Sequence, residues 1–303
     1  MTNQRHKIVN TRSQSLSQYP VITLTFTLCA LIAFAANSVL ARLALIDSNI
    51  DPLSFTSLRL LSGAIMLAVL LMISSISKSK AVKLPSLKGS TISAIFLFIY
   101  ALCFSIAYLS ISTGTGALIL FGAVQITMII YQLFKGSKLK LVEWIGIFLA
   151  FSGFVYLVLP SLSTPSFSGF LLMAISGVAW AGYTIRGKGS HDPLSDTTGN
   201  FIRSLPFCLI VVFYILATQH TLTNIGIALA IISGAITSGV GYAIWYIALK
   251  GLSATQAGVV QLLVPVIAAL GGMILVQEPI TMSFVLASIM ILSGILLITL
   301  QKK

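Results

Sequence analysis

The chain has 303 residues, of which 57% are hydrophobic and only 8% are charged. Soluble globular proteins carry roughly a quarter of their residues as charged side chains, so this composition, with a mean hydropathy of +1.03, excludes an ordinary soluble domain. The net charge of +12 could indicate nucleic-acid binding. The basic residues instead form short clusters between apolar runs, which is typical of membrane topology, and we expect no nucleic-acid partner.

Apolar runs long enough to cross a bilayer, about 20 residues each, predict ten transmembrane helices. In chain order the runs cover 21–46, 53–76, 90–112, 114–134, 141–159, 167–187, 196–218, 222–250, 252–277 and 280–300. The first run follows a basic leader and is too long for a signal-peptide core, so we expect it to remain as the first span. The sequence therefore predicts an all-α polytopic membrane protein.

The distribution of Lys and Arg predicts the orientation. If the N-terminus is cytoplasmic, nearly all of the 18 basic residues fall in cytoplasmic segments. The exceptions are Arg42, near the outer end of the first helix, and Arg59 and Arg203, which lie within the second and seventh helices. Because short cytoplasmic loops are rich in Lys and Arg, this asymmetry predicts that both termini are cytoplasmic. Short basic loops and three cysteines inside apolar runs suit a bacterial inner (plasma) membrane.

The two halves of the chain resemble each other. Asp51-Pro52-Leu53-Ser54 recurs as Asp192-Pro193-Leu194-Ser195, and Arg59 and Arg203 follow the two copies at similar distances. This similarity indicates an internal duplication. An odd number of helices in each copy makes the repeats inverted, as in alternating-access transporters. The expected organisation is a cytoplasmic tail at 1–20, five-helix repeats at 21–160 and 161–300, and a cytoplasmic tail at 301–303.

Several short motifs carry a resemblance to a known family. They are Trp245-Tyr246 with Ala248-Leu249, Ser253-Ala254-Thr255, the segment 264–268, Glu278-Pro279, and Gly294. With them the sequence resembles the EamA-type, ten-helix branch of the drug/metabolite transporter superfamily over nearly its whole length. The resemblance implies an inner-membrane carrier, usually an exporter of amino acids or related metabolites, with helices 1, 3, 4, 6, 8 and 9 around a central cavity.

The first half departs from the family pattern. The place corresponding to Glu278 is basic around Lys138, and the proline that would match Pro265 is absent near Gln125. These departures suggest that the two halves have diverged in their gating elements. Pro265 itself removes a backbone donor within the ninth helix, which predicts either a static kink or a bending point that gates the cavity.

Polar and aromatic side chains inside the predicted helices are the candidates for substrate binding. They are Asn37, Gln125, Trp180, Tyr183, Tyr242, Trp245, Gln256 and Gln261, with Tyr100 and Tyr108 as further aromatic candidates. In lipid an amide must face protein or a watery cavity, and aromatic rings can stack on an apolar part of a solute. The alternatives are helix–helix hydrogen bonds for the amides and interfacial anchoring for the aromatic residues.

Arg59 and Arg203 lie about two turns inside their helices, where a charge is costly unless it is paired or reaches the interface. One interpretation is that they extend to the interface or pair with Asp51 and with the segment 192–196. The other is that they bind an anionic group of the substrate.

The acidic residues bear on coupling. All six lie at or near predicted helix ends, and the three histidines lie in loops or tails. Proton-driven carriers usually hold an ionisable group at mid-membrane. The hypothesis is therefore a facilitator or exchanger of neutral or zwitterionic solutes, with weak proton coupling at most, and not a polyamine or drug-cation pump.

The function predicted from these features is secondary transport of small metabolites, chiefly amino acids or related zwitterionic or neutral solutes, by alternating access around a central cavity. Export is the expected direction, and the solute and the lipid bilayer are the expected partners. The alternatives are a membrane-embedded lipid-modifying enzyme, which would need a cluster of catalytic or metal-binding residues, and a non-transporting sensor or scaffold. We expect no catalytic residue, metal or cofactor. A channel, and the choice between monomer and homodimer, stay open.

Overall fold

The computed structural model describes residues 20–78, 87–136, 140–158, 166–187, 190–217, 222–252 and 260–301. These residues form ten helices. They are α1 (Pro20–Ile46), α2 (Pro52–Lys78), α3 (Thr91–Ala107), α4 (Thr113–Phe134), α5 (Leu141–Val158), α6 (Ser166–Gly187), α7 (Pro193–Ala217), α8 (Asn224–Leu249), α9 (Val264–Val276) and α10 (Met282–Gln301). The predicted all-α architecture is therefore confirmed.

The exterior of the helical bundle is apolar. Helices α1, α2, α4, α6 and α8 are long and apolar enough to cross a membrane, and α3, α5, α9 and α10 are shorter apolar helices. Large hydrophobic side chains face outward, for example Phe134, Phe148 and Val21. Since so extensive an apolar surface is unfavourable in water, the protein is a multi-pass membrane protein.

Two helix boundaries differ most from the sequence prediction. Helix α3 ends at Ala107, whereas the sequence predicted an end at 112. The predicted helix was too long because apolar residues such as Leu109 keep the hydropathy high where the chain already turns. The described part of α9 begins at Val264, directly after a turn at 262–263. Pro265 therefore lies in the first turn of this segment, where its missing N–H breaks no helical hydrogen bond. The turn at 262–263 interrupts the ninth predicted helix shortly before Pro265, and the choice between a static kink and a bending point that gates the cavity stays a prediction.

Helices of the first half pack against helices of the second half in a regular pattern. The pairs α2–α7, α4–α9 and α5–α10 each join helices at the same position in the two halves. The pair α1–α8 has its counterpart in α6–α3. A two-fold axis that related helices 1–5 to helices 6–10 would produce this pattern.

Glycines allow the closest of these helix contacts. A Cβ atom on Gly294 of α10 would lie 2.5 Å from the carbonyl oxygen of Gly146 on α5. On α8, a Cβ atom on Gly234 would lie 2.1 Å from the carbonyl oxygen of Arg59 on α2. Small residues at such positions let the backbones of membrane helices touch.

The connecting segments meet at the two ends of the bundle, which we name after the predicted topology. At the outer end, Ile50 and Leu222 form an isolated antiparallel bridge, and the Thr223 N–H donates to the Asn49 carbonyl oxygen over 2.9 Å. At the inner end, the segment before α3 lies on the start of α7. There the Gly89 N–H donates to Asp196 Oδ1 over 3.0 Å.

Candidate substrate site

A narrow chamber lies in the centre of the bundle, between α1, α3, α4, α6 and α8. Its walls are formed by Phe34, Asn37, Ser38, Tyr100, Phe104, Leu120, Phe121, Trp180 and Tyr242. Its volume of about 20 Å³ is enough for a single water molecule. The chamber must therefore widen before it can hold a metabolite.

A layer of three aromatic side chains separates the chamber from a larger cavity. This aromatic layer consists of Phe34, Trp180 and Tyr242, which line both cavities. The ring centroids of Trp180 and Tyr242 are 5.2 Å apart, and those of Phe34 and Tyr242 are 5.9 Å apart. The layer thus fills the space between α1, α6 and α8.

The larger cavity, which we call the vestibule, has a volume of about 180 Å³. It reaches Gly187 and Leu249, the last residues of α6 and α8, and therefore extends to the inner end. Its remaining walls come from Met128, Tyr183, Thr184, Trp245, Tyr246 and Gln261. Within it the Tyr183 ring is stacked on Trp180, with centroids 5.3 Å apart.

On the opposite side of the chamber, an ion pair lies toward the outer end. Arg42 Nε of α1 donates to Glu278 Oε1 over 2.8 Å, and the two side chains are only 13% and 12% exposed. Arg42 Nη1 also donates to the Tyr108 carbonyl oxygen over 2.6 Å, and the Thr113 N–H donates to Glu278 Oε2 over 2.7 Å. This outer ion pair therefore joins α1, the α3–α4 turn and the α9–α10 connection.

The outer ion pair also borders a third cavity of about 340 Å³. Its walls include Arg42, Glu278, Ser112 and Thr115. Ser38, in the chamber wall, lies one helical turn before Arg42 on α1. The order along the bundle is therefore vestibule, aromatic layer, chamber, outer ion pair and outer pocket.

Asn37 is the most completely positioned polar group of the chamber. Its Oδ1 accepts hydrogen bonds from Ser233 Oγ over 2.5 Å and from Thr237 Oγ1 over 3.2 Å. Both donors come from Ser233–Val240, a π-helical stretch of α8, and such stretches are frequent at functional sites. Because the amide oxygen is occupied, the NH₂ group is the part of Asn37 that can donate to a solute.

Arg59 lies directly behind the chamber wall. It is 2% exposed, and its Nη2 donates to the Tyr100 hydroxyl over 2.9 Å. Its Nε donates to Ser238 Oγ over 3.3 Å, and its guanidinium carbon lies 4.8 Å from the centroid of the Phe104 ring. The predicted extension to the interface or pairing with Asp51 is therefore wrong. Helix α2 directs this side chain into the bundle, where aromatic ring faces and hydroxyl groups interact with its positive charge.

Six predicted site residues line the chamber or the vestibule. They are Asn37, Trp180, Tyr183, Tyr242, Trp245 and Gln261. Tyr100 also lines the chamber, whereas Tyr108 contributes its carbonyl oxygen to the outer ion pair.

The other predicted site residues lie elsewhere. Gln125 lines neither cavity, because α4 presents Leu120 and Phe121 to the chamber. Arg203 donates to the carbonyl oxygens of Lys88 and Gly199 at the inner end, and its predicted pairing with the aspartates is wrong. Arg203 binds the segment before α3 because the backbone of that segment, at Lys88, crosses α7 at close range. Gln256 lies outside the described residues, and Pro265 is buried in α9.

Sequence reasoning missed several chamber residues. Phe34, Phe104 and Phe121 stand in apolar runs, where a ring that faces a cavity is indistinguishable from one that faces lipid. The hydroxyl groups of Ser233, Thr237 and Ser238 did carry a signal, because SGAITSG is a dense polar stretch within an otherwise apolar helix.

The apolar exterior and the row of cavities through the bundle define a multi-pass membrane protein with a narrow central chamber. The EamA-like transporter family matches residues 21–159 and again residues 167–300. The chain therefore belongs to the EamA-like transporter family and is a membrane transporter, not an enzyme. The predicted resemblance to the EamA branch of the drug/metabolite transporter superfamily is confirmed.

Individual relatives cover most of the chain. An uncharacterised protein of Pseudomonas aeruginosa is 46% identical over 278 residues, which are 91% of this chain and 94% of the relative. An uncharacterised transporter of Archaeoglobus fulgidus is 26% identical over 95% of this chain and 100% of its own. The uncharacterised transporter YyaM of Bacillus subtilis is 28% identical over 78% of this chain and 80% of its own.

The fold also has a counterpart among crystal structures. A protein of known structure aligns with a TM-score of 0.60 over 91% of this chain and 98% of that protein, at 17% sequence identity. At this identity the similarity shows the fold alone.

Proposed function

We propose that the protein is a secondary transporter of small zwitterionic or neutral metabolites, amino acids among them, which it exports across the inner membrane by alternating access. The observation that carries this proposal is the order of the cavities. A chamber with polar groups lies between a vestibule at one end and an ion pair at the other. Moving the closure from the outer ion pair to the aromatic layer would expose the same chamber to the other side of the membrane.

The membrane arrangement we propose has ten spans, with both termini in the cytoplasm and inverted repeats at 21–160 and 161–300. The tails are 1–20 and 301–303. The pairing of equivalent helices supports the two-fold relationship. The loop contacts support the predicted grouping of loops into two sides, because Asn49 and Thr223 are predicted on one side and Gly89 and Asp196 on the other, and each pair is in contact. The distribution of Lys and Arg supports the cytoplasmic location of the termini.

The groups in the chamber support the proposed substrate class. The NH₂ group of Asn37 and the hydroxyls of Tyr100 and Tyr242 can bind polar atoms of a solute, and Trp180 and Phe104 offer ring surfaces to its apolar part. Among the residues that the structure describes, no carboxylate lines the chamber. A permanently cationic drug would therefore lack a counter-charge there. Tyr183, Trp245 and Gln261 would contact the solute on its way through the vestibule.

Counterflow in proteoliposomes tests this function. Vesicles preloaded with single unlabelled amino acids or related metabolites should take up the same radiolabelled solute without an imposed ion gradient, as expected of a facilitator or exchanger. Trp180→Ala removes the centre of the aromatic layer, and we expect it to lower the exchange rate at least about tenfold, which corresponds to about 1.4 kcal/mol. Uptake is measured at saturating and subsaturating concentrations.

Trp144→Ala is the matched control, because Trp144 lies on α5, is 56% exposed and lines neither the chamber nor the vestibule. It should exchange at the wild-type rate. Equal rates in both variants would place the path elsewhere. Non-saturable flux would indicate a channel, and exchange that requires a proton gradient would contradict the facilitator hypothesis.

A further inference from the structure

Arg59 is a buried cation in the described part of the chain with no anionic partner. None of the described carboxylates lies within ion-pair distance of its guanidinium group, and the described ion pair joins two other residues. Its Nη1 atom is buried and has no hydrogen-bond partner among the described residues. Removing a charge from water is strongly unfavourable unless an opposite charge compensates it. This site therefore carries an excess positive charge that a bound anion would compensate.

The charge lies one side chain away from the chamber. The guanidinium carbon of Arg59 is 5.2 Å from the centroid of the Tyr100 ring and 4.8 Å from that of Phe104, and both rings form the chamber wall. In such a medium of low polarity, a charge acts on neighbouring groups much more strongly than it does in water. The chamber therefore has a positive electrostatic potential.

The hydroxyl of Tyr100 connects this charge to the interior of the chamber. Arginine only donates hydrogen bonds, so the Tyr100 oxygen is the acceptor of the bond from Nη2 and its own proton stays available for another acceptor. Tyr242 also lines the chamber, and its hydroxyl is a second donor for a solute there. Hydrogen bonds in series polarise one another, so the bond from Arg59 makes the Tyr100 hydroxyl a stronger donor.

We infer that the chamber selects solutes that carry a carboxylate, and that Arg59 is the residue that determines this specificity. The carboxylate would accept hydrogen bonds from the Tyr100 and Tyr242 hydroxyls and from the Asn37 amide, while Arg59 stabilises it through Tyr100. The apolar remainder of the solute lies against Trp180. This inference rests on the proposed function and narrows its substrate class to carboxylates, including zwitterionic amino acids.

Three probes with the same apolar skeleton test the inference. They are 3-phenylpropionate, 3-phenylpropan-1-ol and 3-phenylpropylammonium, which differ in the terminal group: an anionic carboxylate, a neutral hydroxyl and a cationic ammonium. Their affinities for the purified full-length protein are measured by titration calorimetry against detergent blanks. The wild type should bind the anion at least about tenfold more tightly than the alcohol, since a charge-assisted hydrogen bond contributes that much, and the cation most weakly.

Substitutions separate selectivity from folding. Arg59→Met should reduce the anion-to-alcohol affinity ratio to about one, and Arg59→Lys should keep the anion preferred over the cation, because the charge remains. Tyr100→Phe keeps the ring and removes the hydroxyl, and it should also lower the anion-to-alcohol affinity ratio. This result does not depend on whether the Arg59 variant folds. Arg203→Met is the matched control at the corresponding place of the second repeat and should leave the ratio unchanged.

The outcomes distinguish the inference from the proposed function. If the wild type binds the three probes with equal affinity and Trp180→Ala abolishes that binding, the chamber remains the binding site. The role of Arg59 would then be overturned. An unchanged ratio in both Arg59→Met and Tyr100→Phe would overturn it as well. Absence of binding by all three probes would overturn the location of the site and the inference together.

Discussion

Asn37 shows how one side chain in the core of a membrane protein acquires a defined role. An amide in lipid needs partners for its oxygen and for its NH₂ group, and two hydroxyls of α8 bind the oxygen. The N–H donors of the Asn37 NH₂ group are then left for a solute or a water molecule in the chamber. The sequence indicated that Asn37 faces protein or a cavity, but the partners follow from the position of α8 against α1, which one sequence cannot specify.

The outer ion pair leads to a prediction at the same scale. Glu278→Gln removes the charge that holds Arg42 and Thr113 together. Loss of one partner of a largely buried ion pair destabilises the arrangement that contains it by more than about 1.4 kcal/mol, which is a factor of ten in a conformational equilibrium. A cysteine introduced by Ser38→Cys, in a background without Cys29, Cys103 and Cys208, should therefore react about tenfold faster with an impermeant thiol reagent added from outside.

Glu143→Gln provides the control for this measurement. Glu143 is also buried, but its carboxylate accepts a hydrogen bond from the Lys140 N–H over 2.6 Å at the start of α5. Its substitution should leave the reactivity of the chamber cysteine unchanged. If Glu278→Gln also leaves it unchanged, the outer ion pair does not close the chamber.

Among the elements, α8 is the one whose geometry decides the site. Its π-helical stretch carries the hydroxyls that bind Asn37 and Arg59, and Gly234 within this stretch lets α2 come into backbone contact. Each additional π-type turn rotates the side chains that follow it relative to an ideal helix. Three neighbouring hydroxyls can thereby bind residues on two different helices.

Gly234→Ala tests this contact. The new Cβ atom would lie 2.0 Å from Ser62 Oγ and 2.1 Å from the Arg59 carbonyl oxygen, so α2 and α8 must separate. Overpacking of this kind destabilises a protein by about 1–3 kcal/mol. Thermal unfolding followed by size-exclusion chromatography should show a clearly lower Tm.

Gly187→Ala is the matched change, because no other atom lies within 4 Å of the position that its Cβ would occupy. That variant should unfold at the wild-type temperature or slightly above it. A Gly234→Ala protein as stable as the wild type would mean that α2 and α8 are not in close contact.

The helices were predictable and the site was only partly so, for a physical reason. Hydrophobic length determines where a helix can span the membrane, which is why the predicted run 114–134 and the observed α4 nearly coincide. Contacts across the chamber depend on the rotation of each helix about its axis, and an apolar run contains little information about rotation. Trp180 and Asn37 were found because their chemistry is unusual in lipid, whereas Phe34 and the partners of Arg59 were not.

At the scale of the whole molecule, the topology can be tested directly. In a background without the native cysteines, Asp47→Cys should be labelled by an impermeant maleimide in cells whose outer membrane is permeabilised, because its loop is predicted on the outer side. Lys135→Cys should be labelled only after the inner membrane is disrupted. Both positions are exposed and follow a long helix closely, so they are matched in access. The reverse pattern would invert the proposed orientation.

The small size of the chamber has a consequence for the energy supply of the cell. A volume of about 20 Å³ holds one water molecule, so this conformation offers no continuous column of water from the vestibule to the outer pocket. Proton leakage through a pore requires such a column. We therefore expect that the protein in this conformation does not leak protons across the membrane that holds it.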